Sequence, residues 1–182
     1  MSYKKYLKDY SVEAQLDAKG RLKASAVYTG GDYTLSPVVS VNDKRKILAA
    51  SILAWLALIG ALVPVTKASQ VMYVIIPFAF SAMPMFLTTW AAAALLREGG
   101  SMTRKKAEKI SKRLPTNSLL TTMLSGASFL GFMVFAILNW AEMLTADIFF
   151  GILSLITTLA AAFIYSRTRG IKAQLRHQAV NK

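Results

Sequence analysis

Two acids, Glu142 and Asp147, stand five residues apart in the stretch NWAEMLTAD. A carboxyl pair at that spacing is compatible with general acid–base work. Acids in an exposed loop are far more often simply solvated, and solvated surface charge is the reading taken for these two. Little else in the chain offers chemistry. There is no cysteine, which excludes disulfides, thiolate nucleophiles and cysteine metal sites, and the single histidine is His177. The GGD triplet at residues 30–32 lacks the strand–loop–helix setting of a phosphate loop. No catalytic residue, metal ligand or cofactor is assigned, and the expectation is a protein that is not an enzyme.

The densest chemistry is cationic. The stretch SMTRKKAEKISKRLP, Ser101 to Pro115, lies in a chain of net charge +13. Nucleic acid is the usual partner of such a run, but no aromatics interleave with these cations and no binding module surrounds them. The expectation is instead a short helix lying in a membrane interface, with Thr103 as its cap and Pro115 as its stop. Ala107, Ile110 and Leu114 then share one face. Arg104, Lys105, Lys109, Lys112 and Arg113 spread over the rest. With Lys44, Arg45, Lys46, Arg167 and Arg169 they form a collar suited to anionic lipid headgroups. Membrane lipids, a protein partner or a second copy of the chain are the expected partners, and nucleic acid is not.

The elements that position this collar are apolar. Hydrophobic residues make up 54% of the 182, and they are bunched into four charge-free runs at 47–65, 71–96, 118–138 and 148–165. A bilayer core needs about 20 apolar residues per helix, and each run is near that length. The first run begins only at Ile47, after a long polar segment, and reads as an uncleaved anchor. Of 22 lysines and arginines, 21 fall in residues 1–46, in the loop 97–117 or in the tail 166–182; Lys67 alone falls elsewhere. The positive-inside rule then places both termini and the central loop in the cytoplasm of a bacterial-type plasma membrane.

The fold class expected is an all-α membrane protein, a bundle of four transmembrane helices with a small cytoplasmic β-hairpin-like segment at its amino terminus. Small residues recur every four positions at Ser118, Thr122, Gly126; at Ser154, Thr158, Ala162; and at Ala57, Ala61, with Ala127 and Gly131 nearby. These are the expected packing seams. Pro77 and Pro84 lie two turns apart on one face of the second span and predict kinks, each freeing a carbonyl, at Tyr73 and Phe80. Trp55, near the middle of the first span, needs an acceptor, and Thr88 and Thr89 stand level with it. Trp90, Trp140, Tyr73 and Tyr165 are placed as interface anchors.

In the amino-terminal segment, VEAQL and RLKASAVYT read as strands with a turn at Asp17–Gly20, followed by a second turn at TGGDY and a short strand at Tyr33–Leu35. Five of the seven tyrosines lie here: Tyr3, Tyr6, Tyr10, Tyr28 and Tyr33. Tyr28 and Tyr33 are the candidate docking residues for a partner. The function this pattern favours is a non-catalytic accessory or scaffold subunit at the inner leaflet. An oligomeric channel, flippase or transporter is the alternative, weakened by the lack of any ionisable residue in the runs.

Overall fold

The computed structural model describes residues 10–16, 22–29, 32–97 and 102–175. In chain order the elements are β1 (Tyr10–Leu16), β2 (Leu22–Tyr28), β3 (Tyr33–Ser36), α1 (Val41–Leu62), α2 (Met72–Arg97), α3 (Arg104–Leu138), α4 (Thr145–Thr168) and β4 (Lys172–Leu175). Short 3-10 turns, Ala68–Gln70 and Trp140–Glu142, lie in the α1–α2 and α3–α4 connections. All four helices are long and apolar enough to cross a membrane, and the chain is a multi-pass membrane protein. Each helix packs on its two neighbours in an antiparallel ring, with α4 closing on α1 and the most extensive contact between α2 and α3.

The distribution of side chains is the reverse of a water-soluble bundle. Within the four apolar runs nine hydroxyls are buried: Ser51, Ser81, Thr88, Ser118, Thr121, Ser125, Ser128, Ser154 and Thr157. Eight of them donate to a carbonyl three or four residues back in their own helix. A small residue whose only donor is bonded to its own backbone can sit in a dry interior and lets helices approach closely. Many large apolar side chains point outward, among them Ile52, Leu56, Phe80, Met83, Leu130, Ile137, Ile152 and Leu159. An apolar surface this continuous is stable only against hydrocarbon.

The ninth hydroxyl explains the first proline. Pro77 cannot donate to the Tyr73 carbonyl. There α3 presents Gly131, where a Cβ would stand 3.1 Å from the Tyr73 oxygen. Ser128 Oγ donates across to the adjacent Val74 carbonyl at 2.8 Å. The loosened turn of α2 is thus met by a glycine and a hydroxyl of α3. Nearby, Phe78, Phe132 and Phe150 stack at tilted angles, with centroid separations of 5.2 Å and 6.2 Å to Phe150. Gly151 is required beside them, because a Cβ at that position would overlap the Phe132 ring.

Three local readings are corrected. Pro115 does not stop a helix: α3 runs unbroken from Arg104 to Leu138, with Pro115 inside it. The buried face explains this, since Ala107, Ile110, Leu114, Ser118, Thr121, Ser125, Ser128 and Phe132 follow at steps of three and four through the proline. At about 1.5 Å per residue, 35 residues span about 52 Å, so the cationic third of α3 extends the span rather than lying flat as a separate helix. Thr103 occupies the cap position, but its side chain makes no capping hydrogen bond.

The second correction concerns β3. β1 and β2 form the expected antiparallel hairpin, in register from Tyr10↔Tyr28 to Leu16↔Leu22. β3 does not extend it; it pairs with β4, from Tyr33↔Leu175 to Ser36↔Lys172. Its Leu35 is buried with Ile47, Ile110 and Ile171, a footing that a two-stranded ribbon cannot offer. The third concerns the tail 166–182, whose first residues complete α4 and in which 172–175 form a strand.

α1 also starts at Val41, ahead of the apolar run. Ser40 caps it, its Oγ accepting from Asp43 N at 3.0 Å and donating to the Asp43 carboxyl at 2.7 Å. Lys44, Arg45 and Lys46 therefore ride on the first turns of the helix. The Asp17–Gly20 turn, the two glycines of TGGDY, Tyr3, Tyr6, Arg176, His177 and Lys182 lie outside the described residues.

Candidate functional site

At one end of the bundle the α1–α2 and α3–α4 connections are locked together by acids. Asp147 lies in the first turn of α4 and is fully buried. One carboxyl oxygen accepts from Ala68 N at 2.8 Å and the other from Leu144 N at 2.9 Å. Glu142, by contrast, pairs with Lys67 at 3.0 Å on the surface. The two acids hold different partners and do not form a catalytic pair. Asp147 is therefore not the solvated loop acid expected from the sequence; its carboxyl satisfies two backbone donors that would otherwise be orphaned.

The opposite end carries both termini of the bundle and the α2–α3 connection, and β3 ties them together. Along one edge β3 pairs with β4. At Tyr33 it also bridges to Met102, with N–H to O distances of 3.0 Å in both directions. Leu35, Met102 and Ile171 are buried together against Ile47, Ile110 and Ile164. The segment before α1, the segment before α3 and the segment after α4 thus share one small core. Tyr33 is committed to this clasp through its backbone and its partly buried ring. Tyr28 is the last residue of β2, with its backbone paired to Tyr10.

Beside the clasp, α2 and α3 line a groove of two adjoining compartments, about 210 and 380 Å³ in volume. Leu87, Trp90, Ala91 and Ala94 line it from α2, spaced as one helical face, and Arg97 extends that face to the helix end. Lys106, Lys109, Ile110 and Arg113 line it from α3, again at steps of three and four. Ala91 and Ile110 are buried at its floor, while Trp90 is 66% exposed at its lip. Glu108, the acid nearest in sequence, is turned to Arg104 at 3.1 Å. The arrangement is a cationic wall over an apolar floor, which suits an amphiphile with a negative head.

The remaining candidate residues fall into separate places. Trp55 Nε1 donates to Thr89 Oγ1 at 3.0 Å, joining α1 to α2, and Thr88 is buried with its hydroxyl on the Pro84 carbonyl. Thr158 Oγ1 donates to Ser125 Oγ at 3.1 Å, and Gly126 faces the Thr158 methyl. Ser154 is buried, Ala57 and Ala61 are buried, and Ala127 is exposed. Trp140 and Tyr73 are exposed at the Asp147 end. Among the collar residues, Lys109 and Arg113 enter the groove; Arg45, Lys46, Lys105, Lys112, Arg167 and Arg169 are exposed around the same end, and Lys44 and Arg104 are partly covered.

Sequence reasoning missed Lys106, Arg97 and Trp90 as groove residues. Their signal was available as two stripes, 87–90–94–97 and 106–109–113, one at each side of the connection. Among the described residues no cluster of acids or histidines suited to a metal ion occurs. No protein-family model, no curated protein and no solved structure matches this chain.

Proposed function

We propose that the protein is a non-catalytic accessory or scaffold subunit of a bacterial-type plasma membrane, with both termini in the cytoplasm and its collar on the inner leaflet. There it docks a protein partner through the β1–β2 hairpin. The observation that carries this reading is the β3 clasp. Three chain segments that need no mutual contact to span a bilayer are gathered into one core, which gives the hairpin a fixed base 4 residues of chain away, from Thr29 to Asp32. A ribbon of two strands is not independently stable and gains its order by adding to another surface. The interior supports the same reading. Its hydroxyls donate to helix carbonyls, and Phe78, Phe132 and Phe150 fill the core at the Asp147 end.

The test is co-purification of tagged protein from its native membrane, with and without residues 1–28. This truncation leaves the clasp intact. A stoichiometric partner should accompany the full chain and be lost from the truncated one, while both remain in the membrane. Solute or ion flux by the pure protein in liposomes, unchanged by the truncation, would establish a channel or transporter instead.

A further inference from the structure

The geometry points to a binding site for a single anionic phospholipid in the groove between α2 and α3. The groove has two unlike walls. Leu87, Trp90, Ala91 and Ala94 make an apolar wall on α2 that ends at Arg97, and Lys106, Lys109 and Arg113 make a cationic wall along α3. Ten residues of helix at about 1.5 Å each separate Leu87 from Arg97, so the apolar wall is about 15 Å long. A phospholipid offers both partners, an acyl chain of similar length for the apolar wall and a phosphate for the cationic one. A water-soluble phosphate would use only the cationic wall and would leave Leu87 and the buried Ala91 bare.

Charge makes the site selective. Four cations line the two compartments and, among the described residues, no acid does. Lys109 and Arg113 stand one turn apart on the wall above the buried Ala91 and Ile110, so a phosphate between them sits over an apolar floor. There a lysine or arginine keeps its stem on apolar surface and its charge at headgroup level. Trp90 at the lip is a residue type that prefers that same depth. Uniform attraction to a charged leaflet acts on every cation of the collar alike. The groove adds a floor and two facing walls, which the exposed cations Arg45 and Lys46 do not have around them.

The site rests on the membrane placement proposed above and not on the partner. The test therefore uses pure full-length protein in detergent, titrated with phosphatidylglycerol or phosphatidylcholine of matched chains, with bound lipid counted by native mass spectrometry. One phosphatidylglycerol should be retained in preference to phosphatidylcholine. K109Q/R113Q should weaken that retention about thirtyfold, as the loss of two cations near a charged headgroup predicts. Ala94→Leu removes no charge and fills a position common to both compartments; it should abolish the bound lipid. R45Q/K46Q removes equal charge at the same end of the bundle and should leave retention unchanged.

Equal weakening by R45Q/K46Q, equal retention of the two lipids, or an unaffected A94L would each overturn the site. Displacement by soluble glycerol phosphate at lipid-equivalent concentration would also overturn it, in favour of a free phosphate ligand. Should A94L fail to fold, the exposed K109Q/R113Q pair still decides. Loss of lipid with the partner retained defeats this site alone, whereas loss of the partner with lipid retained defeats only the docking role.

Discussion

Asp147 and Glu142 share a loop and a charge, yet the structure gives them unequal work. Glu142 and Lys67 are both well exposed, and exposed pairs contribute about 0–1 kcal/mol. Asp147 is buried and accepts from two backbone donors in two different connections. Removing it orphans the buried Ala68 N–H, at about 1–3 kcal/mol, and also releases the more exposed Leu144 N–H. Asp147→Ala should therefore lower the thermal unfolding midpoint in detergent by clearly more than Glu142→Ala. Asp147→Asn, which keeps one acceptor, should fall between them. Thermal scans of the three variants check this, and equal midpoints would remove the assigned role. A local signal for this residue exists: Asp147 stands in the first turn of α4, where a carboxyl commonly accepts backbone N–H groups. Its second bond, to Ala68 of another connection, has no local signature at all.

At the scale of elements, α3 and β3 carry the lesson. The proline at 115 is a strong local stop signal, but the apolar and small residues keep phase through it. A continuous buried face against α2 outweighs one lost hydrogen bond. That phase is countable in the sequence, whereas the stop signal at Pro115 is purely local. β3 differs in kind, because its partner strand lies more than 130 residues along the chain and no periodicity links Tyr33–Ser36 to Lys172–Leu175. The absence of native cysteine makes the pairing easy to test. Thr34 and Gln174 are directly opposite, so a T34C/Q174C protein should form an intramolecular disulfide on mild oxidation. It would be read as a mobility shift on a non-reducing gel, and a T34C/A141C control should give none.

For the whole molecule, an even number of spans puts the Asp147 connections and the β3 clasp on opposite sides of the bilayer. With the cations sorted as they are, the positive-inside rule predicts which side is which. A single cysteine at Ala141, an exposed residue beside Trp140, should react with a membrane-impermeant maleimide on intact cells. A single cysteine at Lys109 should react only after the membrane is opened. The reverse pattern would invert the proposed docking role and place the lipid groove in the outer leaflet.

What the sequence determined by itself is what depends on composition along one helix. That covers the number of spans, the sorting of charge and the existence of the β1–β2 hairpin, because hydrocarbon solvent and backbone hydrogen bonding act on each segment almost independently. Small-residue stripes run along the same helices: Gly126 faces the Thr158 methyl, and Ala61 is buried. Only the tertiary structure decided the β3–β4–Met102 clasp, the cross-connection bonds of Asp147 and the gathering of Trp90, Lys109 and Arg113 into one groove. Those features join segments distant in the chain, and each half of the contact is an ordinary loop acid, an ordinary extended stretch or an ordinary basic helix face. Its meaning comes from the partner that packing brings opposite.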